Sequence, residues 1–154
     1  GRLCRLEQGL GALGGAGIPY WISPGVPSAM AAAAQCGIPR TRRLTARRVQ
    51  FVTGHDANGT LPQDLDLEAL ADPNACTVVF MGKRTFPALL DALCAKGLPN
   101  ETPAILAEAI STPEQSVTHG TVRKLADLLS DEVGTKPALI LYGPLAEIGE
   151  DVDA

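Results

Sequence analysis

Aromatic residues are scarce in this chain: three Phe, two Tyr and one Trp, or 4% of 154 residues. A platform for stacking bases needs rings interleaved with basic side chains, so this scarcity counts against a nucleic-acid partner. Positive charge is also in deficit. Thirteen Lys and Arg against 17 Asp and Glu leave a formal net charge of −4 and a pI near 5.1, the wrong sign for general polyanion or membrane-surface binding. No run of 18 apolar residues occurs, and the opening GRLCRLEQ lacks the apolar core of a signal peptide. No membrane span is expected, and a reducing, cytoplasmic setting is. His55 and His119 are the two histidines, too isolated for a catalytic pair. Cys4, Cys36, Cys76 and Cys94 form no C-x-x-C and have no histidine at ligand spacing. They read as structural thiols, with no metal site.

What the chain does have is apolar content, 45% at a mean hydropathy of +0.11, in a length that suits one domain with a sizeable core. Short β-rich runs alternate with amphipathic segments, the mark of an α/β domain. YWISPG reads as a short strand stopped by Pro24 and Gly25. PSAMAAAAQCG reads as a helix begun at Pro27 or Ser28, whose alanine face invites close packing. VQFVTG is a strand, DANG a turn, and DLDLEALAD a short helix capped by Asp64 or Asp66. CTVVFMG is apolar enough to be buried on both faces. Thr85 can cap the helix FPALLDALCAKG, with Phe86, Leu89, Leu90 and Leu93 on one face. TPAILAEA and QSVTHGTV are strands close enough to pair antiparallel, VRKLADLLSDEVG is a helix capped by Thr121, and PALILYG is the last strong strand.

Three motifs invite a functional reading. GLGALG, residues 9–14, matches G-x-G-x-x-G, but it follows no buried strand, and no carboxylate stands about 20 positions on, so it is a glycine-rich helix or loop. SPGVPSA is a strand-to-helix turn that is either ordinary or, with its amides pointing beside a sheet, a ligand contact. Arg40, Arg42, Arg43, Arg47 and Arg48 gather before the strand VQFVTG. They are either a solvated loop or a set of guanidinium forks for a ligand bearing several acid groups.

The ordered set AGIPYWISPGVPSAMAAAAQCGIPRT, FVTGHD, DLEALA, TVVFMGKRTFPALLDAL, TPAILAEAISTPEQSVTHGTV and PALILYG resembles the second half of the tetrapyrrole methylases, over about residues 16 to 145. The resemblance is nearest to the members that methylate carbons 2 and 7 of uroporphyrinogen III to give precorrin-2, at the head of the sirohaem and cobalamin branches. It implies an α/β fold with a mixed, roughly five-stranded sheet flanked by helices, S-adenosylmethionine (SAM) as cofactor and a homodimer in the complete enzyme. Val26, Pro27 and Ser28 would meet SAM largely through backbone, although Pro27 removes one amide where the family has threonine. Met81 matches a methionine beside SAM, and Ile110 stands where the family often has glycine. Ala138 and Ile140 match the strand along the adenine, and Arg47 an arginine facing the substrate's acetate and propionate groups.

Residues 1–15 read as a remnant of the interdomain region and residues 16–150 as the C-terminal methylase domain. The family's first domain, with its own cofactor loop and the acid–base residues, is not matched. Arg2 and Glu7 are candidates to stand in for catalytic residues. Half a cleft should hold SAM weakly, so the chain alone is expected to be inactive. A precorrin methylase acting at another carbon, or a non-catalytic module keeping the fold, are the other readings.

Overall fold

The computed structural model describes residues 6–39, 41 and 45–146. Its elements in chain order are α1 (Leu6–Gly15), α2 (Ser28–Gln35), β1 (Arg48–Thr53), α3 (Leu67–Leu70), β2 (Ala75–Phe80), α4 (Phe86–Ala95), β3 (Pro103–Glu108), β4 (Ser116–Thr121), α5 (Val122–Asp131) and β5 (Ala138–Tyr142). The five strands form one sheet in the order β1-β2-β5-β3-β4. β1 and β2 run parallel through the α3 crossover, while β5 is antiparallel to both β2 and β3, and β4 is antiparallel to β3. The sheet is therefore mixed and five-stranded, as the resemblance implied.

The sheet separates two apolar layers. On one face Phe86, Leu89, Leu90 and Leu93 of α4 and Val122, Leu125, Ala126 and Leu129 of α5 pack over Val79, Leu106 and Ile140. Each buried Phe, Leu, Val or Ile side chain among them contributes about 1.5–3 kcal/mol by leaving water. On the other face Ala29 and Ala32 of α2 lie with Cys36 against Val78, Ile105, Ala107, Leu139 and Leu141. The alanine face allows the close approach its composition suggested. A buried polar chain joins α3 to the sheet: Gln50 Nε2 donates to Ala69 O at 2.8 Å and to Thr77 Oγ1 at 2.9 Å, and the Tyr142 hydroxyl donates to Leu70 O at 2.9 Å.

Helix starts follow the side chains available. Asp66 accepts from the Ala69 amide at 3.0 Å, and Thr121 from the Lys124 amide at 3.3 Å, each satisfying a donor that the first helical turn leaves unpaired. Thr85 occupies the cap position of α4 but is helical itself (φ −98°, ψ −10°) and makes no cap bond. Its hydroxyl donates instead to the Gly54 carbonyl, across the exits of β1 and β2. GLGALG lies within α1. The YWISPG strand is not formed: residues 18–27 have no regular structure, and Trp21 and Ile22 are 88% and 59% exposed. A strand needs a partner for its amides and carbonyls, and residues 18–27 pair with none of the five strands.

Candidate cofactor edge

β1, β2 and β3 end, and β5 begins, at the same end of the sheet, since Thr53 pairs with Phe80, Phe80 with Leu139, and Glu108 with Ala138. The segments leaving that end are Gly54–Asp56, Met81–Thr85, Ala109–Thr112 and the approach to Ala138. A crevice outside strand ends is where open α/β sheets place ligands.

Among the described residues, three other than glycine have positive φ: Met81 (+54°), Ala109 (+46°) and Ser111 (+68°). All three lie on this edge. Each such conformation costs about 1–3 kcal/mol and persists only where its surroundings enforce it, which makes the cluster a functional-site signal. The enforcing contacts are visible. Gly54 and Gly82 stack so closely that a Cβ on Gly54 would fall 2.5 Å from Gly82 Cα, and the Gly54 amide donates to Phe80 O at 2.7 Å. The Ala109 amide donates to Pro137 O at 2.8 Å, and the Ser111 amide to Gln115 Oε1 at 3.2 Å. Lys83 Nζ sits 2.6 Å from Glu108 Oε1, both side chains largely buried at 11% and 20% exposure.

Among exposed Arg84, Ser111, Thr112 and Lys136 these segments set a small apolar patch: Met81 is half exposed and Ile110 and Ala138 are half-buried, with the glycines between them. That suits an adenosyl group, whose flat ring asks for apolar walls and nearby backbone. The carboxylates at hand are engaged. Asp56 accepts from the amides of Asn58 (2.8 Å) and Thr60 (3.0 Å) and from the Thr60 hydroxyl (2.9 Å). These bonds, the Thr60 amide foremost, hold its carboxyl below the usual range. His55 Nδ1 lies 2.8 Å from Asp56 O, and His119 is on β4 at the far side of the sheet.

The other residues singled out from sequence lie outside these segments. Ile140 is 1% exposed within the core under α4 and α5. Val26, Pro27 and Ser28 are exposed. The helix they lead lines a hollow along its length, from Ala29 and Ala33 to Ile38 beyond its end, against Cys76, Leu145 and Ala146, and Gln35 meets Gln115 at 3.4 Å. Arg47 precedes β1 and is exposed, about 20 Å from the edge at the rise of a six-residue strand. Arg48 is held by Asp72 at 2.6 Å. Glu7 is exposed on α1. Arg2, Cys4, Arg40, Arg42 and Arg43 lie outside the described residues. Burial pushes the Cys36 and Cys76 thiols up, so neither is primed as a nucleophile.

Gly54, Gly82, Lys83, Glu108, Ala109 and Ser111 were not singled out from sequence. Both glycines follow apolar strands directly, in VTG and FMG, which was a usable signal. The Lys83–Glu108 pair joins residues far apart in the chain and left none.

A model of the tetrapyrrole (corrin/porphyrin) methylases matches residues 9–126. The chain is 38% identical over 144 residues to siroheme synthase 1 of Aeromonas hydrophila, covering 94% of this chain and 30% of that protein. It is 36% identical over 132 residues to the chloroplastic S-adenosyl-L-methionine-dependent uroporphyrinogen III methyltransferase of Arabidopsis thaliana, covering 86% and 36%. The crystal structure of uroporphyrin-III C-methyltransferase from Thermus thermophilus, complexed with S-adenosylhomocysteine, superposes with a TM-score of 0.77 at 26% identity, covering 96% of this chain and 63% of that one. The chain thus spans about a third of these curated relatives.

Proposed function

Since the chain belongs to the tetrapyrrole methylase family, we propose that it forms the SAM-binding half of a C-methyltransferase acting on uroporphyrinogen III to give precorrin-2. The observation that carries the reading is the group of three left-handed residues, Met81, Ala109 and Ser111, around the strand exits. The bound cofactor supplies an electrophilic methyl group, which a pyrrole carbon accepts as the bond to sulfur breaks and S-adenosylhomocysteine departs.

In this reading Met81, Ile110 and Ala138 hold the adenosyl group at the rim. Ile140 supports the adenine strand from within the core, and Val26, Pro27 and Ser28 meet the cofactor by backbone only in the complete enzyme. Arg47, at the other end of β1, holds a peripheral carboxylate of the tetrapyrrole and not the reacting carbon. Positioning sulfur and carbon in line is a term of as much as about 7–11 kcal/mol, and it requires both walls of the cleft. The 154-residue chain alone is therefore inactive, the proton from the acceptor carbon is taken by a residue outside it, and the complete enzyme is a homodimer. Neither Arg2 nor Glu7 is assigned that proton.

Calorimetry with S-adenosylhomocysteine tests the cofactor edge. Binding that is weakened in Met81→Ala supports it, and no binding up to millimolar ligand leaves a scaffold without a cofactor. Turnover of uroporphyrinogen III by the isolated chain would overturn the assignment of half a cleft.

A further inference from the structure

Lys83 is largely buried at this edge, whereas the neighbouring cations Arg84 and Lys136 are exposed. Its Nζ lies 2.6 Å from Glu108 Oε1 and 3.4 Å from Lys136 O, and the second oxygen of Glu108 accepts from Ser116 Oγ at 3.3 Å. These partners belong to the three connections that build the edge. Lys83 follows Met81 by two residues, Glu108 immediately precedes Ala109, and Lys136 precedes Pro137, whose carbonyl takes the Ala109 amide. A β-carbon on Gly134 would sit 3.2 Å from Nζ, so the ammonium is also enclosed from the α5–β5 side.

A buried ion pair is weak evidence for stability, because desolvation offsets much of its attraction; its better-attested use is to specify one arrangement. Here the arrangement is a strained one, which relaxes unless something holds it. Resting on the reading of this edge as the cofactor site, we infer that Lys83 is a positioning residue. Its ammonium draws the exits of β2 and β3 and the approach to β5 into one rim, keeping Met81, Ala109 and Ser111 in the conformations the ligand meets. It does not itself touch the reacting atoms.

The test uses the full 154-residue chain as wild type, Lys83→Met and Glu108→Gln. Lys96→Met serves as control, since it breaks the exposed Lys96–Glu68 pair. One-bond Cα–Hα couplings of Met81, Ala109 and Ser111 in the folded, unliganded protein distinguish positive from negative φ. S-adenosylhomocysteine affinity is measured alongside by calorimetry. Lys83→Met should average the couplings at two or more of the three positions and raise the dissociation constant at least tenfold. Lys96→Met should do neither, and Glu108→Gln should act in the same direction as Lys83→Met. If Lys83→Met does not fold, Glu108→Gln decides by the same readouts. A purely structural lysine would lower the melting temperature yet leave the couplings and affinity of the folded protein as in wild type, and that result overturns the inference. Absence of binding by wild type would instead overturn the cofactor reading, and the couplings alone would then judge whether Lys83 holds the rim.

Discussion

Replacing Gly54 with alanine tests whether the cofactor edge depends on the contact between two strand exits. The added Cβ would lie 2.5 Å from Gly82 Cα, 3.0 Å from Val79 Cγ1 and 3.1 Å from Gly82 N, where ordinary carbon contacts sit at about 3.5–4.0 Å. The nearest atom is backbone, and no rotamer change can remove it. One exit must move by about 1 Å to restore contact distance. That movement is opposed by the Gly54 amide bond to Phe80 O and by the Thr85 hydroxyl on the Gly54 carbonyl. Overpacking of this kind costs about 1–3 kcal/mol, and each kcal/mol lowers the melting temperature by about 2–4 °C in a chain of this size. Gly120→Ala is the control, because its Cβ would meet Lys124 Cβ at an ordinary 3.5 Å. It should stay within about 0.5 kcal/mol of wild type. Urea melts of both variants, with S-adenosylhomocysteine calorimetry on the same samples, should show Gly54→Ala less stable and weaker in binding. Equal stability of the two variants would refute the close-packed edge.

Burial pushes the Tyr142 phenol up to about 12, so its neutral form is favoured in the fold. Its contribution is complete below pH about 10 and is lost as pH rises toward 12, a decline of about 2–3 kcal/mol that Tyr142→Phe should abolish in alkaline denaturation. At neutral pH the same substitution should cost about 0.5–1.5 kcal/mol by leaving Leu70 O without its donor. Thr121→Ala should cost about 1 kcal/mol in urea denaturation by uncapping α5; no change would mean that water replaces the cap. In a complete enzyme, Arg47→Ala should raise the Michaelis constant for uroporphyrinogen III far more than it weakens S-adenosylhomocysteine binding, and equal losses would sink its assignment to the substrate.

Elements whose reasons are local could be read from the chain. The apolar runs of β2 and β5, the leucine stripe of α4, the caps at Asp66 and Thr121 and the turn at Asn58-Gly59 each depend on neighbours within a few residues. The resemblance also named Met81, Ile110 and Ala138, and the sheet brings those three positions to one end. YWISPG misled because its β propensity is real but pairing is not local. Thr85 misled because its hydroxyl had a better acceptor in Gly54, 31 residues away.

By itself the sequence determined that the chain is an α/β domain, where most of its helices and strands fall, and which methylase family it resembles. All of these rest on periodicity, capping and motif order along the chain. The tertiary structure alone decided the strand order β1-β2-β5-β3-β4, because pairing is chosen by mutual burial of faces and not by any one strand. It also decided that Arg47 and Met81 stand at opposite ends of the sheet, and that Lys83 meets Glu108 beside three strained residues. Those are distances between parts of the chain that no spacing encodes, and only the packed sheet brings them into contact or holds them apart.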